Sequence, residues 1–183
     1  MSSRDFDPSR LDVSAFAKAA GELDGEWPLS TLPRLTESTV EDALLASGAG
    51  VNWRARGELR PMRGAESQVW LHVKAAADLP LECQRCLKAV DVPLQIDRHF
   101  LFVHGEDTAA QLDADNEDDV MALTRTLDLR ELIEDEMLLA LPIVPRHEVC
   151  PKPLVAATGT PDLPEEKPNP FALLAALKSR NLN

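Results

Sequence analysis

Cysteine is scarce in this chain, with three in 183 residues. An odd number, with no secretory apolar stretch after the charged start, excludes a disulfide framework and predicts reduced thiols in a cytoplasmic protein. No run approaches the roughly eighteen apolar residues a membrane-spanning helix needs, so no membrane partner is expected. Cations are also short: 19 Lys and Arg face 31 Asp and Glu, for a formal net charge of −12. Such a balance is a poor footprint for gripping DNA or naked RNA by counterion release, so any RNA contact has to come from a local patch. The same acidity suits a basic protein partner.

What is present is enough apolar residue, 44% of the chain, for one ordinary core. Residues 1–10 are polar and read as a flexible N-terminus. Asp12 then caps a short helix whose apolar positions are Val13, Phe16, Ala17 and Ala20, with Gly21 closing it. Pro28 and Pro33 break the next stretch, and a weaker helical pattern runs through Val40 and Leu44. From Val51 the period changes to 2. Val51, Trp53, Ala55 and Leu59 point one way and Arg54, Arg56, Glu58 and Arg60 the other. A second strand over 68–78 puts Val69, Leu71 and Val73 opposite Trp70, His72 and Lys74, which predicts an antiparallel hairpin.

After Pro80 comes a Cys-x-x-Cys knuckle, and then a third strand in which Val90, Val92, Leu94 and Ile96 alternate with polar residues. Pro93, with no N–H to donate, requires an edge or a bulge. Residues 104–119 are acidic with almost nothing apolar and read as a mobile loop. Asp113, Asp115 and Glu117 there lack the glycine, the final acid and the entering helix of a calcium loop. Asp128 caps the strongest helix, 129–141, where Glu131, Glu134 and Asp135 are expected to face away and Glu136 to aim at the sheet. A buried carboxylate has to find a cation, with Arg85 and Arg98 as candidates. Arg85 and Glu136 are read as a structural pair fastening the knuckle to this helix. Residues 151–168 read as a linker. In 169–183, Asn169 caps a helical motif with Pro170 first and Phe171, Leu174 and Leu177 on its apolar side. This motif either docks back on the domain or serves a partner groove. The fold expected for 11–150 is α+β: an antiparallel sheet, open or curled toward a barrel, covered by one main helix with the N-terminal helix beside it.

Two constellations carry chemistry. Cys83 and Cys86 with His147 and Cys150 have spacings a tetrahedral zinc can bridge. Against a metal, Leu87 stands where zinc knuckles usually place glycine, and Pro145 and Pro151 restrict the His147 segment. The second is the outward face of the hairpin, where Arg54, Arg56, Arg60, His72 and Lys74 surround Trp70: cations for phosphates and one ring for stacking. The bland alternative is a solvated sheet face with the Trp packed under a loop or helix. An enzyme is not expected. A redox Cys-x-x-Cys needs a helix N-terminus, whereas this one lies between strands, and no inward carboxylate cluster is in place for hydrolysis.

Three segments occur in fixed order: Leu-Glu-Cys-Gln-Arg-Cys at 81–86, Glu134-Asp135-Glu136 running on to Leu-Ala-Leu-Pro-Ile-Val-Pro-Arg-His at 139–147, and Lys-Pro-Asn-Pro-Phe-Ala at 167–172. Together they make the chain resemble the YceD family, the large ribosomal RNA subunit accumulation proteins of bacteria and plastids, from about residue 10 to the end. The resemblance implies a non-enzymatic factor in large ribosomal subunit assembly. Its implied partners are large-subunit rRNA or its precursor and a basic large-subunit ribosomal protein. The alternative is a zinc-stabilised protein-interaction module without direct RNA contact. Relatives with extra C-terminal cysteines look like zinc binders; this chain has only Cys150 beyond the knuckle, so one chain cannot supply four thiolates.

Overall fold

The structure, a computed structural model, describes residues 6–64 and 66–151. The motif built on Asn169, Pro170, Phe171, Leu174 and Leu177, and the linker from residue 152 onward, lie outside the described residues. The element order is α1 (Val13–Lys18), β1 (Glu22–Pro28), a 3-10 turn (Leu29–Thr31), α2 (Pro33–Glu37), α3 (Glu41–Ser47), β2 (Gly50–Arg60), β3 (Gln68–Glu82), β4 (Ala89–Val103), α4 (Glu106–Asp113), β5 (Asp119–Ala122) and α5 (Leu129–Leu139). The fold is α+β. Its five strands lie in sequence order, antiparallel from β1 to β4, with β5 parallel to β4. The sheet stays open, with β1 and β5 at its two ends, so the curl toward a barrel does not reach closure.

The expected hairpin is in place: Arg54 stands opposite Lys74 and Arg56 opposite His72. Its inward residues meet α1, the 3-10 turn, α2 and α5 in the main core, where Phe16, Leu71, Leu79, Phe100, Ile133 and Met137 are almost fully enclosed. Asp12 caps α1, accepting from Ala15 N–H at 2.9 Å. Gly21 is needed for close approach, since a Cβ there would come within 2.3 Å of the Phe16 ring; the left-handed residue at this turn is Ala20, at φ 47°. The Pro-broken stretch after α1 contains a strand that alternation alone did not reveal. β1 offers only Leu23 and Trp27 to the core, and Trp27 stacks on Trp53 with centroids 4.3 Å apart.

β4 is one continuous strand. Phe100 and Phe102 enter the main core, while Leu101 enters a second cluster on the opposite face with Trp70, Ala109 and Val120. β5 pairs only with 100–103, so β4 is an edge at Pro93, where a missing N–H costs nothing. The acidic stretch read as a mobile loop instead contains α4, which lies across the second cluster and links two parallel strands, a connection that requires a crossover. Glu106 and Asp107 occupy its first turn, where the helix dipole favours negative charge, and Ala109 is its buried contact.

Candidate metal centre and sheet face

The knuckle is a tight turn between β3 and β4. Cys83 N–H donates to Lys88 O at 2.9 Å, and Leu87 N–H donates back to Cys83 O at 2.8 Å. Leu87 has φ 56°, the left-handed conformation for which glycine is the usual choice, so the geometry matches a zinc knuckle even though the residue does not. The exit from α5 returns to the turn: Gln84 N–H donates to Pro145 O at 2.9 Å. Arg85 clasps that strap through Nη2 to His147 O at 3.0 Å and Glu148 O at 3.2 Å, and through Nε to Cys150 Sγ at 3.0 Å.

This clasp brings Cys83, Cys86, His147 and Cys150 together, with all four ligand atoms within 4.8 Å of one another. Cys83 and Cys150 sulfurs are 3.9 Å apart, and Cys86 Sγ lies 3.5 Å from His147 Nδ1. Tetrahedral zinc with ordinary bond lengths holds its donors roughly 3.4–3.8 Å apart, so the group can hold a metal with little movement. Burial works to raise the Cys83 thiol pKa, but backbone N–H groups of His147, Arg85 and Cys86 outweigh it and hold the thiol down at about 5. Burial pushes Cys86 up. The thiol partner of Arg85 raises the guanidinium further. A cation beside several thiols is what a metal-ready cluster needs to ionise its ligands.

Arg85 therefore does not pair with Glu136, and the expected structural pair is corrected. Its guanidinium is committed to the 147–150 strap, while Glu136 Oε2 meets Arg98 Nε at 3.1 Å, the other candidate cation. Glu136 does aim at the sheet, with its side chain only 11% exposed, and burial raises its pKa against the pull of Arg98. Glu134 does not face away as expected. It is buried at 5% exposure, one oxygen accepting from Arg34 and Leu35 N–H at 2.8 and 3.1 Å, the other from the Arg34 guanidinium. It thus caps α2 from a distant helix. Nothing in the sequence pointed to this, since α2 begins at Pro33 with no capping side chain of its own.

The sheet face differs from its expectation in two ways. Trp70 is buried at 8%, under α4, with its Nε1 on Gln68 and the Arg60 guanidinium 4.0 Å above its ring, so it is not available for stacking. The cations are largely offset. Arg56 lies near Glu22 and Glu58, Arg60 near Glu58, and Lys74 Nζ is 2.7 Å from Asp97. Of the cations expected there, Arg54 alone has no ion pair among the described residues, and its cross-strand neighbour on β1 is Asp24. A groove of about 840 Å³ runs over Asp24, Asn52, Arg54, Lys74, Gln95 and Asp97 and is mixed in sign. Hydrogen bonds from Lys74 and then His72 hold Asp97 at a pKa of about 2. Reasoning along single strands missed Glu22 and Asp97 because cross-strand register decides which cations they neutralise, and missed His99, whose ring stacks on His72 from the neighbouring strand.

An acidic α+β domain whose 147–150 strap is clasped to a Cys3His knuckle is the class of protein these features define. The profile of the family described as "Large ribosomal RNA subunit accumulation protein YceD" matches residues 71–178. A protein of that same name from Haemophilus influenzae is 33% identical over 180 residues, covering 93% of this chain and 96% of the relative. The chain belongs to the YceD family. No solved structure matches it. Among the described residues, no helix is long and apolar enough to cross a membrane.

Proposed function

We propose that this protein is a non-enzymatic factor that supports large-subunit ribosomal RNA accumulation by binding a basic large-subunit ribosomal protein through its acidic surface. The role comes from the family and from the name its Haemophilus relative carries. The mode comes from charge. With a net −12 and a sheet face whose cations are mostly held by Glu22, Glu58 and Asp97, the protein attracts polycations and repels phosphate backbones. That ion pairing carries the reading. Direct contact with rRNA through Arg54, Arg56, Arg60, His72 and Lys74 is the lesser term. In a binding assay with large-subunit rRNA at low salt, replacing Arg54, Arg56 and Lys74 by Glu tests it. A loss of strong wild-type binding in the triple variant would overturn the protein-first reading.

A second reading concerns the knuckle, favoured by the donor spacing there. Zinc held by Cys83, Cys86, His147 and Cys150 clips the exit of α5 to the β3–β4 turn and supplies folding energy rather than chemistry. Metal analysis of purified protein should return at least one zinc per chain, and Cys83→Ser should lower the content by one. Metal-free protein with an unchanged melting temperature after zinc addition would remove zinc from the description.

A further inference from the structure

We infer that His72, Asp97 and His99 form a second metal site, on the open face of the sheet, for a divalent first-row transition ion. Three observations carry this. The register places His72 on β3 directly across from His99 on β4, and Asp97 two residues before His99, so all three side chains leave the same side of two hydrogen-bonded strands. Their ligand atoms lie within 4.8 Å of one another. The side chains are already engaged: His72 Nε2 is 2.6 Å from Asp97 Oδ1, and the two imidazoles lie parallel with centroids 4.0 Å apart.

Two imidazoles and one carboxylate are a donor set that zinc, nickel, copper and iron accept, and calcium and magnesium do not prefer. An ion with bonds of about 2.0–2.1 Å draws its donors to roughly 3.4 Å apart, a short step from their present separation of at most 4.8 Å. It takes the place of the hydrogen bond between His72 Nε2 and Asp97 Oδ1. Lys74 holds the other Asp97 oxygen at 2.7 Å, so it fixes the carboxylate while leaving Oδ1 for the ion, at the cost of an adjacent positive charge. Asp97 is 56% exposed and His72 22%, so the outward positions stay open to water or to an anionic oxygen. A bound ion adds two positive charges to a face whose own cations are mostly offset. The site shares no residue with the thiolate knuckle.

The test uses the full chain, first supplied with one equivalent of zinc to fill the knuckle. Nickel is then titrated by calorimetry, while imidazole signals are followed by NMR. The chain has only four histidines, His72, His99, His104 and His147, so each signal can be assigned. One further nickel should bind and broaden His72 and His99 together. His99→Ala and Asp97→Asn should each weaken it by roughly tenfold or more, and Lys74→Ala should leave it intact or tighten it. Nickel binding that survives His99→Ala unchanged, or that broadens only His104 or His147 in the wild type, would overturn the proposal. The wild-type spectra decide even where a variant folds poorly.

Discussion

Removing the Glu134 carboxylate should cost far more than removing the arginine it pairs with. Its Oε1 accepts from two backbone N–H groups at the start of α2, at 2.8 and 3.1 Å, and one of these belongs to Leu35, which is fully buried. A hydrogen bond to a charged acceptor is worth ~1.5–3 kcal/mol, and an orphaned buried donor costs a comparable amount. The Arg34 guanidinium is 45% exposed and can re-solvate, so the ionic half of the contact is screened and is the lesser part. Glu134→Ala is therefore expected to cost about 2–4 kcal/mol and Arg34→Ala clearly less, since Glu134 keeps its two backbone donors. Glu134→Gln, whose carbonyl still accepts from both N–H groups, falls between them. Urea unfolding followed by far-UV circular dichroism measures this. With a typical slope near ~2 kcal/mol/M, Glu134→Ala lowers the midpoint by about 1–2 M without changing the slope. If Arg34→Ala costs as much as Glu134→Ala, the contact is held by the ion pair and the capping argument is wrong.

Arg98 and Glu136 should show coupling of about 0.5 kcal/mol or more in a double-mutant cycle, whereas Arg85 and Glu136 should add to within about 0.5 kcal/mol, because Arg85 is committed to the 147–150 strap. Burial raises the Glu136 pKa in the folded state against the pull of Arg98, so ionising it opposes folding. Its contribution is full below the unfolded pKa and is lost as pH rises through the folded one; Glu136→Gln should flatten that limb of a stability–pH curve, and an unchanged limb would refute it. Leu87, left-handed at φ 56°, should tolerate Gly within about 1 kcal/mol, while Leu87→Val, β-branched in that region, should cost more in the same urea series.

Much of this was legible from periodicity. The hairpin of β2 and β3, the capped α1 and α5, the inward aim of Glu136 and the edge position of Pro93 all follow from local patterns that the tertiary structure leaves intact. α4 was hidden because its helix buries little beyond Ala109, so its acidic composition read as solvent rather than as a dipole-matched first turn. β1 was hidden because Asp24 and Gly25 interrupt its alternation, and the strand is held by pairing with β2. At the knuckle, the ligand types and spacing were readable, but their convergence depends on Arg85 drawing back a strap beyond α5, a contact made across the chain. On the sheet face, Trp70 packs under a helix as the blander of the two readings expected, but the offsetting of that face's cations was hidden for the same reason. Arg56 and Lys74 are visible in their own strands, while the acids that offset them, Glu22 and Asp97, arrive from neighbouring ones.

The most direct test is a competition at physiological salt between purified large-subunit ribosomal proteins and deproteinised large-subunit rRNA for the labelled full-length protein, followed by fluorescence anisotropy. Binding to at least one basic ribosomal protein, at least tenfold tighter than to rRNA and weakening as salt rises, is the expected result. Tighter binding to the naked rRNA, with none of the basic proteins competing, would contradict it.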